Sequence, residues 1–243
     1  MRLLATCSYK GINYNGWQVQ PNLKTIQGTI EFAISKILNT KTTIYGSGRT
    51  DTGVSANGQT FHFDVNKAID MDKFLYSLNC VLPDDIYVNE LKEVSNDFHA
   101  RFNVKRKTYQ YTYQTKKRSP FNYEIAAFMP LSFDENLLAE CLQLFKGEHN
   151  FINFTSKEED EKKFIRTIYE VDYQYENDIL IITLVGNGFM RYMVRDIVGT
   201  VMAVATGREN IDYIRQRLIN VEKRLVTSYK AEGNGLNLLK VEY

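Results

Sequence analysis

The chain has 243 residues, 44% of them hydrophobic and 13% aromatic, enough for one large domain or two small ones with cores of their own. Its 30 lysines and arginines stand against 29 aspartates and glutamates, so no global field draws it to a polyanion and any nucleic-acid site has to be local. Three scattered cysteines (Cys7, Cys80, Cys141) and three histidines (His62, His99, His149) without metal-ligand spacing argue against a disulfide framework or a bound metal. The apolar run Leu3 to Cys7 is too short for a signal peptide, and no later run approaches the roughly 18 residues of a membrane span, so a soluble cytoplasmic protein with no membrane partner is expected.

In chain order, Arg2 to Tyr9 is rich in strand-forming residues and runs into a loop punctuated by Gly11 that carries the only tryptophan, Trp17. Thr25 is a candidate N-cap for a helix whose Ile26, Ile30, Ala33, Ile34, Ile37 and Leu38 recur at helical spacing. Thr42 to Tyr45 reads as a strand, and the alternation of Gln59, Phe61, Phe63 and Val65 reads as a second, half-buried one. Between them lies Gly46-Ser-Gly-Arg-Thr-Asp-Thr-Gly-Val54. Glycines let the backbone turn sharply and admit a second molecule, and a carboxylate held near a guanidinium stays ionised where water is excluded, so Asp51 is a candidate nucleophile or base. The same residues also suit a plain hairpin loop in which Asp51 caps a turn and Arg49 is solvated. Asp70 or Asp72 starts a second helix with Phe74, Leu75 and Leu78, and Ile86 to Val94 follows as a strand.

A second set of elements repeats this order. Val104 to Gln114 alternates Tyr109, Tyr111 and Tyr113 on one face; Asp134 caps a helix closed by Gly147; Ile165 to Tyr175 and Ile179 to Val185 form a hairpin about Glu176-Asn177-Asp178. A helix through Val194, Ile197, Val198 and Val201 ends near Gly207, Asn210 caps another, and Leu239 to Tyr243 is a final strand. The expected fold is α+β: two similar split-βαβ halves, residues 1–103 and 104–243, with mainly antiparallel sheets, helices on one side and a single active-site cleft on the other. The charged run Glu158 to Lys163 reads as a solvated loop.

Split-βαβ sheets include RNA-binding domains, and basic residues interleave with aromatics at Arg101, Lys105, Arg106, Lys107 and Tyr109. The stretch Phe189 to Arg195 opens a mainly apolar helix in which Arg191 and Arg195 share a face at i, i+4. A buried Arg195 needs a carboxylate, and Asp51 is one candidate; the alternatives are that Arg195 bonds Asp196, Asp172 or solvent.

With those residues in place, the sequence resembles the TruA family of tRNA pseudouridine synthases over nearly its whole length. The family's Gly-Arg-Thr-Asp-x-Gly-Val block stands at Gly48 to Val54, with Asp51 in the place of the catalytic aspartate. Its Phe-x-Ala-Arg-Phe block stands at Phe98 to Phe102, followed by Arg106 and by Tyr109 at the position of the active-site tyrosine. Gly147-Glu-His-Asn-Phe151 follows its Gly-x-His-x-Phe pattern, Met193-Val-Arg195 with Val198-Gly199 matches the helix whose arginine pairs with the catalytic aspartate, and Gly235-Leu236 matches a Gly-Leu near the pocket. Departures are Ser55 for a usual histidine, Asn57 for an apolar residue, and Glu232-Gly233 for Pro-Ala.

The resemblance implies a cofactor-free and metal-free isomerase acting on uridines 38, 39 or 40 of the tRNA anticodon stem-loop, and a homodimer in which two chains share one tRNA. It further implies that Asp51, Arg195 and Tyr109 are catalytic and that Arg49, Tyr109, Leu236, Arg101 and Arg106 meet the substrate. The competing readings are a noncatalytic or specialised RNA-binding paralogue of the same fold, and a glycoside or nucleoside hydrolase, which needs a second carboxylate that Asp64 does not clearly supply.

Overall fold

A computed structural model of the chain describes residues 1–66, 68–130, 132–156 and 164–243; the charged run Glu158 to Lys163 lies outside them. Two compact units emerge, one of Met1–Lys105 with Leu238–Tyr243, the other of Arg106–Asn237.

The first unit contains β1 (Arg2–Tyr9), α1 (Ile26–Leu38), β2 (Tyr45–Gly46), β3 (Ser55–Asp64), α2 (Met71–Val81) and β4 (Ile86–Val94). β1 lies between β4 and β3 and is antiparallel to both, with Leu3 opposite Phe63 and Ala5 opposite Phe61. Thr25 caps α1 by accepting from the Gly28 N–H, and Ile26, Ile30, Ala33 and Ile34 of that helix are buried. Asp70 rather than Asp72 caps α2, accepting from the Lys73 N–H at 3.1 Å, and the ring of Phe74 lies 6.1 Å from that of Phe63 on β3. The strand expected over Thr42 to Tyr45 shrinks to two residues. The cause is local: the N–H groups of Thr42 and Ile44 donate to Ser35 Oγ (2.9 Å) and Glu31 Oε1 (3.0 Å) of α1 instead of to a neighbouring strand.

The second unit contains β5 (Arg106–Gln114), β6 (Ala127–Phe128), α3 (Glu135–Gln143), β7 (Gly147–Asn150), β8 (Ile165–Glu176), β9 (Ile179–Gly186), α4 (Met193–Ala205) and α5 (Asp212–Ile219), with a 3-10 turn over Ile152–Phe154. Its strands run β5-β9-β8-β7, antiparallel where they pair, with the short β6 parallel to β5. Asn177 (φ 52°) and Asp178 (φ 63°) turn the β8–β9 hairpin, the two-residue left-handed turn that matches the twist of the strands. Asp134 caps α3 with bonds from the N–H groups of Asn136 and Leu137. Gly147, at φ 107°, opens β7 rather than closing that helix.

The last strand, β10, spans Leu236–Glu242, and from Leu238 onward the chain belongs to the first unit. There β10 lies beside β3, so closely that a Cβ on Gly58 would stand 2.5 Å from the Leu239 carbonyl oxygen, and the Lys105 N–H donates to the Glu242 carbonyl at 2.8 Å. The expected division at 103/104 with everything after it in the second half is therefore amended: the final residues complete the first unit by strand pairing. Among the described residues no helix is long and apolar enough to cross a membrane.

Candidate functional site

Asp51 sits in a segment held by both main-chain and side-chain hydrogen bonds. Ser47 enters it from β2, its N–H donating to the Thr60 carbonyl (2.8 Å) and its hydroxyl to Gln59 Oε1 (2.7 Å), while Gln59 Nε2 donates to the Gly48 carbonyl (3.0 Å). The far end closes as a turn in which the Val54 N–H donates to the Asp51 carbonyl at 3.1 Å and Gly53 takes φ 78°, a conformation nearly free of cost only for glycine. The loop after β1 packs onto the middle of the segment. The Trp17 N–H donates to the Thr50 carbonyl (3.0 Å), and a Cβ on Gly16, itself at φ 81°, would come within 2.7 Å of that same oxygen. The hydroxyls of Tyr9 and Thr50 share a buried hydrogen bond of 2.8 Å. Thr50 is buried, Asp51 half-buried and Arg49 exposed, with no hydrogen-bond or ion-pair partner for Arg49 among the described residues of its unit.

Sequence reasoning missed Tyr9, Gly16 and Trp17 as supports of this turn. Their signal was present only as two glycines flanking the lone tryptophan's loop, and nothing in local spacing tied that loop to Thr50. The Ser55 hydroxyl makes a defined contact, accepting from the buried Gly11 N–H at 3.1 Å.

The second unit carries Tyr109, Arg195 and Leu236. On β5, Tyr109, Tyr111 and Tyr113 face Leu184, Ile182 and Leu180 of β9 in register, and all three are buried. Tyr109 meets Phe189 edge to face with centroids 5.1 Å apart. Burial pushes the Tyr111 and Tyr113 hydroxyls far above their ordinary range, so neither ionises; for Tyr111 the neighbouring Tyr113 adds to the rise and Arg195 opposes it. Tyr111 uses its hydroxyl to donate to the Glu232 carbonyl at 2.8 Å.

Arg195, in the first turn of α4, donates through Nε to the Ala231 carbonyl (2.7 Å), while the Ala231 N–H returns a bond to the Arg195 carbonyl (3.0 Å). The helix starts at Met193, later than the sequence pattern implies, so Arg191 precedes it and does not share a helical face with Arg195. Instead both guanidinium groups, at 4.7 and 5.2 Å, and the Lys230 ammonium, at 4.2 Å, converge on the ring of Tyr192, a residue at φ 64°. The segment leading to Leu236 is strapped down by backbone: Leu236 N–H donates to the Gly233 carbonyl at 3.0 Å, and a Cβ on Gly235 would collide with the Tyr111 ring at 2.6 Å.

Arg106 is placed apart from Tyr109, on the opposite face of β5 by strand alternation, with its guanidinium 5.0 Å over the Tyr169 ring and 3.7 Å from Glu170. Arg101, in the first unit, is exposed and lies 5.8 Å over the Phe102 ring.

Comparison with known proteins bears on what these groups do. The family described as tRNA pseudouridine synthase matches residues 5–103 and 141–243, which takes in Asp51, Arg195 and Leu236. Three curated relatives, each named tRNA pseudouridine synthase A, align over their whole length or nearly so. That of Anoxybacillus flavithermus is 38% identical across 100% of this chain and 98% of its own. That of Listeria monocytogenes is 38% identical across 100% and 99%. That of Acetivibrio thermocellus is 39% identical across 97% and 96%.

Proposed function

The chain belongs to the tRNA pseudouridine synthase family, and on that premise we propose that Asp51 is the carboxylate through which it converts uridine to pseudouridine in the anticodon stem-loop of tRNA, at positions 38, 39 or 40. The reaction is an isomerisation. The N1–C1′ bond breaks, C5 bonds to C1′, the hydrogen on C5 leaves as a proton and the freed N1 takes one up, so the composition is unchanged and no electrons are gained or lost.

What carries the reading is the way the backbone around Asp51 is fixed, with Gly16 pressed against Thr50 and a glycine turn closing behind it. A group that must meet a reacting atom to within a fraction of an ångström gains most of its advantage from such pre-positioning. The target uridine is flipped out of its stack, at a cost of about a few kcal/mol, and the Asp51 carboxylate acts on it as nucleophile or base. Arg195 serves to keep that carboxylate ionised and oriented. Its own orientation is supported by the 2.7 Å bond to Ala231 and by the Tyr192 ring. Tyr109 stacks on the target base, Leu236 lines its apolar side, Arg49 meets the phosphate or the displaced neighbouring base, and Arg101 and Arg106 contact backbone phosphates farther along. The acting form is a cytoplasmic homodimer that shares one tRNA.

The test is tritium release from tRNA labelled at uridine C5. Wild type releases tritium; Asp51→Ala, with an unchanged urea midpoint, does not. A folded, tRNA-binding wild type that releases none from competent substrate would make the chain a binding paralogue, and a fully active Asp51→Ala would remove Asp51 from the chemistry.

A further inference from the structure

The first unit presents a cluster of four rings that none of the roles above uses. His62 on β3 is 2% exposed, and the ring of Tyr45 from β2 lies over it at 5.0 Å and 18°. His99 meets His62 edge-on at 4.7 Å, and Phe102 packs against His99 at 4.3 Å. The outer members are open to solvent, Tyr45 by 50% and Phe102 by 75%. Of the other exposed aromatics of this unit, Tyr76 and Tyr87 line one open depression with Leu75 and Cys80, where no basic side chain stands among the lining residues.

The cluster is fixed from beneath. His62 Nδ1 accepts from the Ala100 N–H (3.1 Å), the Ala100 carbonyl accepts from the Tyr243 hydroxyl (2.9 Å), and Phe98 meets the Tyr243 ring edge-on. The turn carrying the rings is bound to itself, with the His99 N–H donating to Asn103 Oδ1 (2.7 Å) and the Arg101 N–H to His99 Nδ1 (3.1 Å). Both imidazoles are held below their ordinary range, chiefly by burial, so near neutrality the surface carries uncharged flat rings. At the rim, Asp64 is taken by Arg2 in a two-pronged pair of 2.8 and 2.9 Å and Asp97 by the Ser95 hydroxyl, while Arg101 pairs with no described carboxylate.

We propose that the Tyr45–His99–Phe102 surface is a stacking platform for an unpaired base of the substrate RNA, with Arg101 at its edge for the adjoining phosphate. The inference rests on the reading that this chain acts on RNA. Rigid, uncharged aromatic faces with one uncompensated guanidinium suit a nucleotide, because every base offers a π-face and every linkage a negative charge. Two ring faces supply far less than the roughly 1,000 Å² that a specific protein–protein contact needs, which disfavours a second copy of the chain as the occupant.

The experiment compares wild type, Phe102→Ala and Phe121→Ala for binding to oligouridylate and to an abasic oligomer of the same backbone, and for KM and kcat on tRNA. Phe121, an exposed aromatic of the other unit, is the control. Phe102→Ala is expected to weaken oligouridylate binding about 5- to 150-fold and to raise KM, with the abasic oligomer unaffected and Phe121→Ala neutral on all counts. Equal losses on both oligomers, no loss on either, or a change only in oligomeric state would overturn the platform. Tritium release by wild type is read separately, so failure of the platform is distinct from failure of the functional reading.

Discussion

Replacing Gly16 by alanine tests whether the loop after β1 positions Asp51, the carboxylate proposed to react. The new Cβ would stand 2.7 Å from the Thr50 carbonyl oxygen, against 3.4 Å for ordinary contact, so that oxygen has to retreat by roughly 0.7 Å. It also accepts the 3.0 Å bond from the Trp17 N–H, which stretches as it moves. An L-residue at φ 81° costs about 1–2 kcal/mol, and a weakened buried hydrogen bond about 1 kcal/mol more, for a total of about 2–3 kcal/mol in stability. Because Asp51 follows Thr50 directly, a shift of this size is expected to lower kcat about 10- to 100-fold with little change in KM. Urea unfolding gives the first quantity and initial rates of tritium release the second. Gly207→Ala separates the two causes: Gly207 has φ 74° but nothing within 4 Å of a new Cβ, so it carries the backbone cost without the collision and should leave kcat unchanged. A Gly16→Ala protein with kcat within about twofold of wild type would refute the reasoning, as would an equal fall in kcat for Gly207→Ala.

Ser55→Ala strands the buried Gly11 N–H and is expected to cost about 1–3 kcal/mol in urea unfolding; an unchanged midpoint would show that the bond is replaceable. His62 is held down to about 4 from 6.5, mainly by burial and secondarily by His99 and Arg2. The unfolded chain therefore takes up a proton below about 6.5 that the folded chain refuses until about 4, so this contribution to stability is complete above that window and is lost as the pH falls through it. His62→Gln should lack that part of the pH dependence, and parallel stability profiles for the two proteins would exclude it. Since net charge is nearly balanced, tRNA affinity should depend on local phosphate contacts and fall steeply with salt in filter binding; a flat log–log plot would contradict a basic site.

Much of the fold was legible because its signals are local. Thr25 and Asp134 announce their helices by side chains that reach N–H groups within three residues, and the alternation of Tyr109, Tyr111 and Tyr113 places three rings on one strand face without any tertiary information. The errors occur where a distant group decides the outcome. Thr42 to Ile44 has strand composition, yet Ser35 and Glu31 of α1 take its N–H groups, and only folding brings them there. The final strand reads correctly as a strand, but pairing with β3, not sequence distance, assigns it to the first unit. The candidate site divides in the same way. Asp51 and Arg195 are visible as residue types in unusual settings, whereas Gly16 and Tyr192 matter through a backbone approach and through cations from distant positions that converge on one ring.

That distinction also bears on which replacements these positions can accept. Ala231, Glu232 and Gly233 bind Arg195, Tyr111 and Leu236 through their carbonyl oxygens, and a carbonyl is supplied by any residue whose side chain leaves the path of the chain unaltered. A change of Glu232-Gly233 to Pro-Ala would therefore remove no acceptor. Gly235 has no such latitude, because its own Cβ would occupy the space of the Tyr111 ring. Ser55 is the intermediate case: a side chain provides the bond to Gly11, so a replacement must present an acceptor at the same point. Tolerance at these positions thus follows the kind of atom that makes each contact.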